Sequence, residues 1–152
     1  MRGRFITFAV DREMYGIEIR FVTEIVGIQP INNLPEVPDH IKGVINLRGK
    51  IIPVVDMRLK FKKEPMEYND RTCIIVIDAG TISAGLIVDE VSEVLAIEDG
   101  DISPPPVFGT VRNRYLNGIG NVDGQIKLLL DCERLFSGEE TDILEQNKEA
   151  EK

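Results

Sequence analysis

Along this chain, short apolar runs are broken at regular intervals by turn residues. Phe5-Ile6-Thr7-Phe8-Ala9-Val10 suits a strand, and Cys73-Ile74-Ile75-Val76-Ile77 has the unbroken apolar character of a strand buried on both faces. Asp11-Arg12-Glu13 and Asp78-Ala79-Gly80 supply the turns that follow them. Arg48-Gly49 and Asp123-Gly124 each separate two apolar runs at hairpin spacing. A two-residue type I′ turn needs positive φ at both central positions, which is why Asp-Gly is a strong hairpin signal. In such a turn Arg48 takes a conformation that costs a non-glycine residue about 1–2 kcal/mol, so folding alone does not explain an arginine there. A type II turn spares it this strain but fits strand twist less well. In either geometry the long side chain projects from a hairpin tip. It is then free to meet a partner's carboxylate, or to tie back to its own lobe through Glu36 or Asp39. Asp56 and Asp131 end the apolar runs and suit N-caps of one or two helical turns.

The elements recur. Residues 43–61 align without a gap with 118–136, pairing Gly43 with Gly118, Asn46 with Asn121, Gly49 with Gly124, Asp56 with Asp131 and Phe61 with Phe136. Upstream, 5–28 aligns with 74–97, pairing Gly16 with Gly85, Val22 with Val91 and Glu24 with Glu93. Halves of about 5–61 and 74–136, each a series of about five short curved strands, predict two similar β-barrel lobes packed as one unit, because closure removes exposed strand edges. Residues 62–72, charged and containing Pro65, read as the crossover between lobes, and Pro104-Pro105-Pro106 as a loop. A domain over 1–137 and an acidic tail over 138–152 are expected, with a helix from Ser137 through Leu144.

Composition narrows the class. The 152 residues carry a formal charge of −8, which disfavours a nucleic-acid partner held through phosphates. About half of that charge lies in 137–152, where six acids face two lysines. Cys73 and Cys132 sit in or beside apolar runs and read as reduced core residues of a cytoplasmic protein. No signal-peptide pattern opens the chain, and no apolar run nears the roughly 20 residues that span a bilayer. Candidate chemistry is sparse. His40 is the one histidine and reads as a surface or capping residue; sequence alone leaves a Ser/His or Cys/His pairing open. No Cys/His spacing suits zinc and no acidic run suits calcium, so neither metal nor cofactor is expected. Gly43 to Lys50 superficially resembles a phosphate-binding loop, yet it has one residue too many between glycines and Ile51 in place of a hydroxyl. The basic run Arg58, Lys60, Lys62, Lys63, interleaved with Leu59 and Phe61, reads as a solvated face over a packed one, with a docking patch as the secondary reading.

Gly43-Val44-Ile45-Asn46-Leu47-Arg48-Gly49 followed by Ile51-Ile52-Pro53-Val54-Val55-Asp56 resembles the signature of the CheW family of chemotaxis coupling proteins. Ile19 to Ile25, the Pro35 and Pro38 loop, Gly85 to Asp89 and Leu116-Asn117-Gly118 resemble the same family, over residues 4 to 136. The resemblance implies a mainly β CheW-like domain of two five-stranded, SH3-like barrels with short helices. It also implies a non-enzymatic adaptor between chemoreceptor tips and the regulatory domain of the histidine kinase CheA, without insertion into the membrane. It points to Val22 and Glu24 for receptor binding. The spacing of Ile19, Val22 and Ile25 predicts one side of a short helix, and Arg48 and Gly49 complete the receptor set. Kinase binding is expected around Ile41, Lys42, Gly43 and Val44. The competing class is a small-ligand sensor or enzyme using the cleft between lobes.

Overall fold

The computed structural model describes residues 3–80, 82–105, 107–108, 111–112, 115–136, 140 and 144. Strands β1 (Gly3–Val10) and β2 (Glu13–Glu18) form a hairpin, followed by a 3₁₀ turn (Ile19–Phe21), β3 (Val22–Gly27), β4 (Ile41–Leu47), β5 (Lys50–Asp56) and the short helix α1 (Met57–Lys60). After residues 61–72 come β6 (Cys73–Asp78), β7 (Ser83–Val88), β8 (Glu90–Ile97), a second 3₁₀ turn (Asp99–Asp101) and β9 (Ile102–Ser103). The ribbon β10 (Val107–Phe108) with β11 (Val111–Arg112) precedes β12 (Leu116–Val122) and β13 (Gln125–Leu130). The helix expected through Ile19, Val22 and Ile25 is not formed. Only Ile19–Phe21 is helical, and Val22-Thr23-Glu24-Ile25-Val26, dense in β-branched residues, pairs with β6 as a strand.

Two sheets carry the fold, in the orders β8-β1-β2-β13-β12-β9 and β3-β6-β7-β5-β4. Matching the strands of the aligned segments (β1 with β6, β2 with β7, β3 with β8, β4 with β12, β5 with β13) makes these two orders the same, apart from the added β9. The lobes are nevertheless not the sequence halves. Lobe II is built from residues 22–88, and lobe I joins β1 and β2 to the strands beyond residue 89. The crossings are therefore the turn Ile19–Phe21 and residue Asp89, whereas the stretch 62–72, expected to cross, leaves and re-enters the same sheet. Each lobe is joined at its middle by a parallel pair, β2 with β13 and β7 with β5, whose strands come from different halves. Gly16 opposes Leu129 in one pair and Gly85 opposes Val54 in the other. A Cβ on Gly16 would lie 3.0 Å from Leu129 Cδ2, and one on Gly85 2.6 Å from Ile74 Cγ2 and 3.0 Å from Val54 Cγ1. The recurring glycine thus leaves room for the side chain of the strand beside it.

The largest apolar cluster lies between the sheets rather than inside either. Ile6, Phe8 and Ile17 of lobe I, Ile75, Ile77 and Leu86 of lobe II, and Met57, Phe136 and Leu144 belong to it. Smaller clusters fill the lobes, one around Ile45, Val54 and Ile74 in lobe II, the other around Phe5, Ile97 and Leu129 in lobe I. Polar ties cross the same seam. Arg58 on α1 donates to both carboxylate oxygens of Asp89 at 2.8–3.1 Å, and Asp89 Oδ2 accepts from the backbone N–H of Asp11 at 2.7 Å.

Asp56 caps α1, its Oδ1 accepting from the Leu59 N–H at 3.2 Å while Oδ2 accepts from the Tyr68 hydroxyl at 2.7 Å. Burial and this carboxylate both push the Tyr68 phenol upward. The matching Asp131 accepts from the Glu133 N–H at 2.9 Å but starts only a turn, so the second expected helix is absent. Helix α1 ends with bonds from Lys62 N to Leu59 O and from Lys63 N to Arg58 O, which places Lys62 (φ 60°) where such helix ends usually carry glycine. Cys132 is buried, which pushes its thiol upward; it is unpaired, as is the half-buried Cys73.

Most of the expected C-terminal helix lies outside the described residues, but Glu140 and Leu144 are both helical. Leu144 is fully buried in the seam. Glu140 Oε2 meets Lys60 Nζ at 2.7 Å and His40 Nε2 at 2.6 Å. Lys60, expected in a solvated face, is buried, with its ammonium 4.7 Å from the Tyr115 ring and 4.9 Å from the Phe136 ring. His40 is likewise partly buried against the Glu140 carboxylate rather than a surface residue.

Two outcomes test this packing. Gly85→Ala drives a methyl against two branched side chains and should cost about 2–3 kcal/mol, whereas Gly16→Ala meets only the tip of a flexible leucine and should cost less; urea unfolding of both variants checks the order. Burial alone would raise the Glu140 carboxyl, but hydrogen bonds and charge from Lys60 and then His40 outweigh it and hold the group below its usual range. A carboxylate with a lowered folded-state pKa stabilises the protein above its unfolded value near about 4.3 and loses that contribution as pH falls through the folded value. Glu140→Ala should therefore destabilise the protein at pH 7, with the gap to wild type narrowing as unfolding is measured at progressively lower pH below about 4.

Candidate protein-docking site

The β4–β5 turn is type I′: Arg48 has φ 53° and Gly49 φ 89°, between the paired Leu47 and Lys50. The matching turn between β12 and β13 repeats it, with Asp123 at 52° and Gly124 at 80°. Asn46 Oδ1 accepts from the Gly49 N–H at 2.8 Å and steadies the tip. Arg48 does not project freely. Its Nη2 donates to both carboxylate oxygens of Glu24 on β3, at 2.6 Å to Oε1. The arginine is thus tied to its own lobe, not through Glu36 or Asp39 but through a residue of the expected receptor set. Closure of the sheet makes this contact, since β3 and β4 are its two outer strands. In lobe I the equivalent positions are Glu93 and Asp123, both acidic, so the ion pair has no counterpart there.

The other receptor candidates flank this pair unequally. Ile19 and Ile25 are exposed, at 37% and 38%, whereas Val22 is half-buried against the seam core. Between β3 and the hairpin tip opens a cavity of about 360 Å³, lined by Thr23, Glu24, Arg48, Ile52, Val76 and Asp78. The lobes also share exposed aliphatics at equivalent places, Ile25 with Val94 and Ile51 with Ile126.

The four residues expected at the kinase divide by role. Ile41 is in the core and Gly43 is buried, so neither offers a side chain to a partner. Gly43 has φ 144°, and a Cβ there would stand 2.0 Å from the carbonyl oxygen of Asn32. Val44 exchanges backbone hydrogen bonds with Asn32 at 2.8 and 2.9 Å, covering part of the β4 edge. Lys42 and Val44 are half-buried and keep accessible surface.

Sequence reasoning missed the cluster of Lys60, His40 and Glu140, whose members lie 80 and 100 residues apart and follow no motif. It also missed a second opening of about 370 Å³ on the seam, beside Tyr15, Phe61 and Tyr115. Among the described residues no helix is long and apolar enough to cross a membrane, and no group of three or more His, Cys, Asp or Glu could hold a metal ion.

The exposed geometry of the Arg48–Glu24 pair sets a small energetic role in folding. Arg48→Asn gives up a surface ion pair, worth roughly 0–1 kcal/mol, and gains a residue more tolerant of positive φ. The thermal unfolding free energy should change by less than about 0.5 kcal/mol; a large drop in melting temperature would make the pair a folding element.

Comparison with known proteins agrees with this architecture. The family model for the CheW-like domain matches residues 4–140. The chain is 39% identical over 142 residues to the chemotaxis protein CheW of Klebsiella aerogenes, covering 93% of this chain and 86% of that one. It is 30% identical to the chemotaxis protein CheW of Treponema pallidum, covering 90% and 84%. The crystal structure of the scaffolding protein TtCheW from Thermoanaerobacter tengcongensis superposes with a TM-score of 0.82 at 35% identity, covering 91% of this chain and 95% of that one. The chain belongs to the CheW-like family.

Proposed function

We propose that this protein is a cytoplasmic, non-catalytic adaptor of chemotaxis signalling that couples the tips of transmembrane chemoreceptors to the histidine kinase CheA. Family membership supports it, as do the names of its relatives, which are a chemotaxis protein in two cases and a scaffolding protein in the third. The observation that carries the reading to particular residues is the asymmetry between lobes: only lobe II sets an ion pair, Glu24 with Arg48, at an exposed hairpin tip, beside the exposed Ile25. Ile19 lies on the crossing that leads into the same strand. Receptor binding falls to this face. Exposed aliphatics on and just before the strand that carries Glu24 suit the apolar stripe of a helical receptor tip, with the charges setting register.

Kinase binding falls to the β4 edge, through Lys42, Val44 and the backbone that Gly43 shapes. The regulatory domain of CheA resembles this fold by family, and like folds often meet through equivalent surfaces. Val22 is too far into the seam for a clean test, so the exposed pair serves. Ile19→Asp combined with Ile25→Asp should leave the melting temperature nearly unchanged and weaken binding to a soluble receptor-tip fragment by about 2 kcal/mol, while titration with CheA gives wild-type affinity. Equal loss of both partners in a folded variant would contradict the assignment.

A further inference from the structure

The opening on the seam has a composition that the adaptor reading does not use. Its floor is apolar: Tyr15 stacks on Phe61 with centroids 5.0 Å apart, Phe61 meets Tyr115 at 6.0 Å, and Leu128 continues the wall from β13. Its rim carries Lys62 and Lys63 against a single acid, Glu13, with the buried Lys60 behind. This is a local reversal in a chain of net charge −8. The charges are in different states. Lys60 is taken by Glu140, and Lys63 by Glu13, whose carboxylate also accepts from the Tyr15 hydroxyl. Lys62 is exposed and has no partner among the described residues.

Lys62 also holds the left-handed position at the end of α1, where glycine would close the helix with less strain. Folding therefore does not account for a lysine there, and the residue lines the mouth of the aromatic-floored opening. Behind the groove, Lys60 already binds a carboxylate, that of Glu140, while its ammonium faces the Tyr115 and Phe136 rings. We propose that the groove bounded by Tyr15, Phe61, Tyr115 and Leu128 docks an acidic peptide segment of a partner protein, with an aromatic or aliphatic anchor on the rings and a carboxylate on Lys62, beside the Lys63–Glu13 pair. It goes beyond the adaptor reading, since the groove shares no residue with the cavity at the Arg48–Glu24 pair. Its walls come from both lobes, so an occupant reads their relative placement.

Fluorescence anisotropy with a labelled ten-residue peptide of glutamates around a Phe-Leu pair tests this on the full chain. Micromolar binding is expected, weakened at least 10-fold in Lys62→Glu/Lys63→Glu. The charge-reversed peptide, with lysines for glutamates, should prefer that variant. Lys62→Gly separates docking from folding: it should raise the melting temperature yet weaken the peptide several-fold. Wild-type affinity in the double variant, equal binding of a plain oligoglutamate, or binding of phosphatidylserine vesicles without binding of the peptide would each overturn the proposal.

Discussion

The apolar seam between the two sheets is the constraint from which the rest of this structure follows. Neither sheet is made from one stretch of repeated sequence. β1 and β2 close lobe I only by pairing with β8 and β13, and β6 and β7 close lobe II only by pairing with β3 and β5. Removing either half would leave both barrels open, with unpaired edges and the Phe8, Ile75 and Leu86 core exposed to water. The two lobes are therefore held at a fixed relative placement by packing, by two chain crossings and by the Arg58–Asp89–Asp11 ties. A rigid spacing between surfaces on different lobes is the property that the proposed adaptor role requires.

A duplicated fold supplies equivalent surfaces, and single substitutions then make them different. The two I′ turns have nearly the same backbone, yet one places arginine opposite glutamate and the other aspartate opposite glutamate. Phe61 and Phe136 correspond, but Phe136 is buried in the seam core while Phe61 borders an open groove. Tyr15 corresponds to Ala84, which is fully buried. Specificity between partners can arise in this way without changing strand order or register, because the altered side chains project from hairpin tips, groove walls and strand faces while the backbone ladders stay the same.

Much of the architecture was legible before the structure. Turn chemistry at Arg48-Gly49 and Asp123-Gly124, the cap at Asp56 and the alignment of Gly16 with Gly85 all follow from local rules, and the strands lie where the apolar runs put them. The exchange of strands was not legible, because apolar periodicity reports which face of a strand is buried and not which strand lies beside it. The spacing of Ile19, Val22 and Ile25 misled for a related reason: three positions over seven residues fit one helix face or a turn running into a strand, and pairing with β6 decides. The partner of Arg48 depended on closure of the sheet, which brings Glu24 across to the tip when Glu36 and Asp39 are nearer in sequence. Lys60 looked solvated because it stands in a run of charges; only the tertiary position of Glu140 makes its burial tolerable.

The central claim is that one small chain physically joins two proteins, and reconstitution measures this most directly. Vesicles bearing a chemoreceptor, purified CheA and this protein are mixed and sedimented. CheA should pellet with the receptor vesicles only when the chain is present, and the amount should saturate as the chain is added. Equal recovery of CheA with and without the chain, or failure of the chain itself to pellet with receptor, would contradict the account.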